Sequence, residues 1–201
     1  MPRASAAEAA RTAERVLESA TGLFASRGFA AVSLEDVAHT AGVTRGAVYH
    51  HYRNKIGLFR AVAERLQSHV AAAVVTAAEG AGALPSDQLR AGSHAFLDAI
   101  TSGAAVRILL IDGPSVVGWQ EWRRLDAENS ATHLRDVLQE VGVVDELLDA
   151  TTAQLSGAMN EAALWIAQHG NPEKARAQAR ATLNTLLTPY LAPKDSSWPG
   201  E

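Results

Sequence analysis

Apolar residues recur at three- and four-residue intervals through most of this chain, and no stretch of any length alternates apolar with polar as a half-buried strand would. Val16, Leu17, Ala20, Leu23 and Phe24 predict an amphipathic helix over 9–27, stopped by Gly28. Ser33 and Asp36 make a capping pair for a short helix from Leu34, with Val37, Ala38 and Ala41 on its inner side. Gly42 then supplies a residue that tolerates the left-handed exit. Thr44 caps a second short helix over 45–51, whose buried side needs only Ala47 and Val48. Asn54 caps a long helix to about Glu79, with Ile56, Leu58, Phe59, Val62, Ala63, Leu66 and Val70 facing inward. Gly80 to Pro85, Gly113-Pro114, Gly142 and Gly170 to Pro172 punctuate the remainder into helices over 86–102, 104–112, 118–141, 145–169 and 172–190. The expected fold is all-α.

Two short helices around a tight turn, with the small residues Ala38 and Gly42 at their crossing, read as a helix-turn-helix. The outward residues of the second helix, Arg45, Gly46, Tyr49 and His50, with His51 beside them, are donors and groove-sized groups without an acid among them. Arg45 is the expected base reader, because a guanidinium bonds a guanine edge in bidentate fashion, and His50 is a second candidate. Gly46 would let the backbone approach a base edge closely. A metal site at His50 and His51 is not expected, because neighbouring helix positions point about 100° apart and no suitably spaced carboxylate accompanies them.

The run AGVTRGAVYHHYRNKIGLF resembles the recognition-helix signature of the tetracycline-repressor (TetR) family of bacterial transcription regulators. Ala-x-x-x-Gly alone is common to many three-helix domains; Tyr49, Tyr52, Lys55, Leu58 and Phe59 make the match specific, over residues 14 to 60. The resemblance implies an N-terminal three-helix DNA-binding domain over 1–60 and a helical effector-binding and dimerisation bundle over 61–192, about nine helices in all. It also implies phosphate contacts from Ser33, Thr44, Tyr49, His51 and Lys55, which position the helix without reading sequence. Residues 193–201, rich in Pro, Gly and Ser, are expected to form a disordered tail.

Charge changes this picture little in sum and more in distribution. The chain carries −4 overall, yet residues 1–60 hold eight Lys or Arg against five Asp or Glu, a net +3, and the remainder a net −7. The basic end is the end with the motif, although +3 is too little for a protein that coats DNA without regard to sequence. With no cysteine, disulfides and thiolate metal sites are excluded. The absence of a signal-like stretch and of a spanning helix points to a cytoplasmic protein with no membrane partner.

By the resemblance, the last two helices pair with their copies in a second subunit, and a homodimer would read a palindromic double-stranded operator. Leu155, Ala158 and Ala162 on one helix, and Ala179, Leu183 and Leu186 on the next, are the expected interface. The middle helices would enclose a small-molecule effector, apolar or aromatic by the candidate lining of Phe96, Ile100, Leu109, Asp112, Trp119, Trp122, Met159 and Trp165. His94, Gln120, His133 and Asn160 would add polar contacts. No cofactor and no catalysis are expected; the runner-up is an all-helical carrier or enzyme using that cavity, for which His94 and Asp98, four residues apart, are the nearest thing to a catalytic pair.

Overall fold

In the computed structural model, described over residues 6–126 and 131–191, every regular element is helical. Ten α-helices run in chain order: α1 Ala6–Arg27, α2 Leu34–Ala41, α3 Arg45–Tyr52, α4 Lys55–Gly80, α5 Pro85–Ile100, α6 Gly113–Val116, α7 Trp119–Asp126, α8 Thr132–Glu140, α9 Asp145–Gln168 and α10 Pro172–Leu191. A π-helical segment, Val106–Asp112, precedes α6. The tail expected over 193–201 lies outside the described residues.

The described residues of Met1–Ser68 and Ser102–Asp126 form one compact unit, and those of His69–Thr101 and Ala127–Glu201 form the other. The chain therefore leaves the first unit within α4 and returns to it after α5. The boundary expected at residue 60 falls within α4.

The first unit is built on local signals and one aromatic cluster. Ser33 accepts from the Asp36 backbone N–H at 3.1 Å while the Ser33 N–H donates to the Asp36 carboxylate at 2.8 Å, closing the capping box of α2. Gly42 ends α2 at φ 64°, where an L side chain would be strained. Val37, Ala38 and Ala41 of α2 and Val48 of α3 pack inward with Val16, Ala20, Leu23 and Phe24 of α1. Phe24, Phe29 and Phe59 gather in one cluster, their ring centroids 5.3–5.9 Å apart.

The link between α3 and α4 is strained. Arg53 takes φ 66° and ψ −50°, and the Asn54 N–H donates to the Tyr52 carbonyl at 2.7 Å, a γ-turn of the rare positive-φ kind. Glycine tolerates this conformation, so Arg53→Gly is expected to raise stability by up to about 1 kcal/mol after the entropy of the freer unfolded chain is deducted. Thermal unfolding of the two proteins measures it, and a loss of stability in the variant would show that the Arg53 side chain contributes more than its backbone costs. At the same link Gly57 is required by close approach, because a Cβ there would stand 2.3 Å from the Tyr52 carbonyl oxygen.

The returning segment departs from the sequence expectation. Gly113 does not break the helix: its backbone stays helical at φ −51°, and Pro114 sits in the first turn of α6, where a missing N–H costs nothing. The direction changes five residues later, at Gly118 with φ 87°. Within the π segment the Leu109 carbonyl receives the indole N–H of Trp122 at 2.6 Å. Asp112 accepts from the Phe29 backbone N–H at 3.0 Å, with the Arg107 guanidinium 3.8 Å away, so the α1–α2 turn is fastened by a residue far along the chain.

In the second unit polar contacts join α5 to α10. His94 bonds Asn184 at 2.8 Å, Asp98 pairs with both Arg180 and Arg176, the latter at 3.5 Å, and Arg176 also reaches the Thr101 hydroxyl at 3.3 Å. The other faces of α5, with α8 and α9, close over Leu89, Phe96, Leu97, Leu138, Leu148 and Ile166.

Candidate functional site

Helix α3 meets the features expected of a reading helix one residue at a time. Thr44 caps it by accepting from the Ala47 N–H at 3.2 Å, and Val48 alone on it is buried. Tyr52 faces inward as a packing residue: its hydroxyl donates to the Ala13 carbonyl at 3.0 Å, and burial first, then the Glu14 carboxylate, pushes its phenol above the usual value. The opposite face is open. Arg45, Gly46, Tyr49 and His50 are exposed, and His51 is half-buried with its ring edge-on to that of His50 at 5.4 Å. A Cβ at Gly46 would meet only the Thr44 hydroxyl, at 3.8 Å, so nothing within the protein forbids a side chain there. The open space lies outward.

Two of the residues expected at phosphates are engaged within the protein. Lys55 donates to the Phe29 carbonyl at 3.0 Å and lies 4.2 Å from the Phe29 ring centroid, which fastens the start of α4 to the α1–α2 turn. The Ser33 hydroxyl is occupied by Asp36, at 2.6 Å. The Ser33 hydroxyl, and after it the Ser33 N–H, hold the Asp36 carboxyl below the usual carboxylate range. A depressed folded value means that the cap's contribution is fully present above the unfolded pKa, about 3.9, and is lost as pH falls through the lower folded one. The Ser33 amide resonance is therefore expected to stay unchanged down to about pH 4 and to move only below it, whereas in Asp36→Asn this movement should vanish.

One partner was not anticipated. Arg45 forms an ion pair with Glu35 at 2.6 Å, and both side chains are largely exposed, 69% and 57%. Glu35 reads in the sequence as an ordinary first-turn acid, and ten residues of separation across a turn carry no signal of the pairing.

The residues expected around an effector divide between the two units. Phe96 and Met159 line a cavity of about 180 Å³ in the second unit, bounded by α4, α5, α8 and α9. Ile100 is buried in the same unit outside this lining, and Trp165 is on the surface of α9. Leu109, Asp112, Trp119 and Trp122 belong to the first unit and do not line this cavity; Trp119 is exposed and stacks on Trp122 at 5.0 Å. Of the polar candidates, His133 borders the cavity, His94 is bonded to Asn184, and Gln120 is exposed in the first unit. Asn160 is buried with neither amide atom hydrogen-bonded.

The expected interface residues also divide. Leu155, Ala179 and Leu183 are buried within their own unit, whereas Ala158 and Ala162 are half-exposed and Leu186 is exposed. Leu147, Ala158, Ala162 and Trp165 fall on one stripe of α9, and Leu147, Trp165 and Leu186 are large apolar side chains left open to solvent. Among the described residues no cluster of His, Asp and Glu could hold a metal ion, and no helix is long and apolar enough to cross a membrane.

Known proteins align with both parts of the chain. Residues 16–62 match the family described as bacterial regulatory proteins, tetR family, and residues 86–190 match the tetracyclin repressor-like C-terminal domain. The HTH-type transcriptional regulator SrpR of Pseudomonas putida is 42% identical over 62 residues, 31% of this chain and 29% of that protein. AcrR of Shigella flexneri is 39% identical over 70 residues, 35% of this chain and 33% of its own. The chain thus spans about a third of the length of these two relatives. A crystal structure of a TetR-family transcriptional regulator from Pectobacterium atrosepticum is 31% identical, with a TM-score of 0.73, covering 94% of this chain and 98% of that one.

Proposed function

This chain belongs to the TetR family of bacterial regulators, and on that premise we propose that it is a sequence-specific transcriptional repressor. It acts as a homodimer on a palindromic operator and is released by a small molecule bound in the second unit. The observation that carries this reading is the outward face of α3, where Arg45, Tyr49 and His50 stand exposed around a glycine with open space before it. Arg45 and His50 read base edges, Gly46 allows the backbone to come close, and Thr44, Tyr49 and His51 contact phosphates. Lys55 and Ser33 are occupied within the protein, Lys55 at the α1–α2 turn and Ser33 at the cap of α2, and are not assigned to phosphate.

The exposed Leu147, Trp165 and Leu186 support pairing through α9 and α10, and a two-fold pair of reading helices would read half-sites about 34 Å apart. An effector weakens operator binding only if it favours a DNA-incompetent state over the competent one. A coupling of 1–3 kcal/mol corresponds to roughly 5–150-fold in operator affinity.

Selection of bound fragments from the source genome, followed by anisotropy titration of the enriched fragment and scrambled DNA at two salt concentrations, tests the proposal. A recovered palindrome bound by two copies per site supports it; equal affinity for scrambled DNA would sink it. Glu35 adds a second reading on the same assay. Its carboxylate holds Arg45 in place and repels phosphate, so Glu35→Gln is expected to bind scrambled DNA several-fold more tightly and to narrow the preference for the operator. An unchanged preference would mean that the ion pair does not survive on DNA.

A further inference from the structure

The cavity of the second unit has a composition that selects among ligands. Its floor and walls are apolar, with Val74, Ala78, Leu89, Phe96, Val137 and Met159 contributing. Its remaining side chains include three carboxylates, Glu79 on α4 and Asp136 and Glu140 one turn apart on α8, and no Lys or Arg is among them. The basic residues closest in sequence are already paired, Arg90 with Asp87 and Arg135 with Asp149 at 2.9 Å. Three like charges on two helices beside one apolar slot repel one another, and a slot with low-dielectric walls concentrates their field.

The same slot holds a second, independent feature. Ser93 lines the cavity and is only 4% exposed. Thr21, Ser68 and Thr152 turn their hydroxyls back to the carbonyl four residues earlier, but the Ser93 hydroxyl makes no hydrogen bond to the described residues. A buried hydroxyl left open toward a cavity calls for a polar atom from whatever fills it.

We infer that this cavity takes a cationic amphiphile, a molecule with an apolar or aromatic body of about a dozen heavy atoms and an ammonium head. The body displaces water from the apolar walls beside Phe96 and Met159. The head lies between Glu79 and the Asp136 and Glu140 pair, relieving their mutual repulsion, and a polar atom on the body meets Ser93. Each carboxylate is exposed and worth little singly; the preference comes from three acting on one charge, with His133 as the one basic side chain among the lining residues. This inference rests on the reading of the cavity as the effector site, and it names the effector's class.

Calorimetry on the full chain with three probes of one shape tests it: 4-phenylbutylammonium, 4-phenylbutan-1-ol and 4-phenylbutanoate. The ammonium is expected to bind at least ten-fold more tightly than the carboxylate, with the alcohol between them. The double variant Asp136→Asn, Glu140→Gln should weaken the ammonium at least five-fold and leave the alcohol within two-fold. Ala78→Leu, which fills the slot, should weaken all three. Equal or tighter binding of the carboxylate, no difference between ammonium and alcohol, or no binding of any probe would overturn the inference. Fragment selection is read separately: operator binding with no probe binding removes the ligand class alone, whereas probe binding with no operator removes the regulator and keeps the site.

Discussion

Phe59→Ala is expected to lower the unfolding free energy by about 3–5 kcal/mol, the usual cost of truncating a buried phenylalanine, roughly a fifth or more of what a typical domain has. Phe59 is fully buried, and its ring meets Phe24 of α1 and Phe29 of the α1–α2 turn edge-on at 5.4 and 5.3 Å. Lys55, one turn earlier on α4, lies over Phe29 and donates to its carbonyl. Deleting the ring thus opens a void where α1, the turn and α4 meet, and removes the support under the residue Lys55 grips. Because the void lies in the core of the unit that carries α3, operator affinity should fall with stability. A denaturant titration at constant m-value reads the loss, and a shift below 1 kcal/mol would show that the three rings do not form a common core.

Arg45→Ala should behave in the opposite way, leaving stability nearly unchanged while removing about 1–3 kcal/mol of discrimination at one base pair of each half-site. Its side chain is 69% exposed and its one ion-pair partner, Glu35, is exposed too, so neither loses a buried contact. Operator affinity should drop roughly 5–150-fold per half-site, while binding to scrambled DNA falls only by the loss of one positive charge. Two measurements separate the cases: the melting temperature, and the ratio of operator to scrambled affinity at fixed salt. A retained ratio would assign base reading to His50 and Tyr49, and a large fall in melting temperature would make Arg45 a structural residue.

The contrast between these variants follows what could be read from the chain itself. The capping box of Ser33 and Asp36, the left-handed Gly42 and the Thr44 cap are local, so α2, the turn and α3 were legible within a residue or so. The all-helical class followed from periodicity alone. What the sequence does not carry is the partner of a buried side chain. Leu109 and Trp122 show the apolar character of a pocket wall, and the same character serves the core of the first unit, where the indole of Trp122 satisfies a carbonyl of a π-helical turn. Asp136 and Glu140 read as a solvated helix face, because nothing in their spacing says that a slot opens beside them. Leu155 and Leu183 were expected at a subunit interface, and both lie buried in their own unit, since apolar spacing fixes which side of a helix is covered but not by which molecule.

The bond from the Phe29 amide to the Asp112 carboxylate joins residues 83 positions apart, and this separation becomes an interval of time when the chain is made. At synthesis rates of roughly 5–20 residues per second, the carboxylate emerges about 4–17 s after the amide it serves. Until then the capping box, the turn and α3 can form, but the loop behind them lacks its fastening. A fragment ending at residue 68 would remain permanently in that condition, with the Phe29 amide left to water. On the proposed reading, competence to bind an operator should depend on completing the middle of the chain, and a nascent or truncated headpiece should compete poorly with finished protein for the same operator.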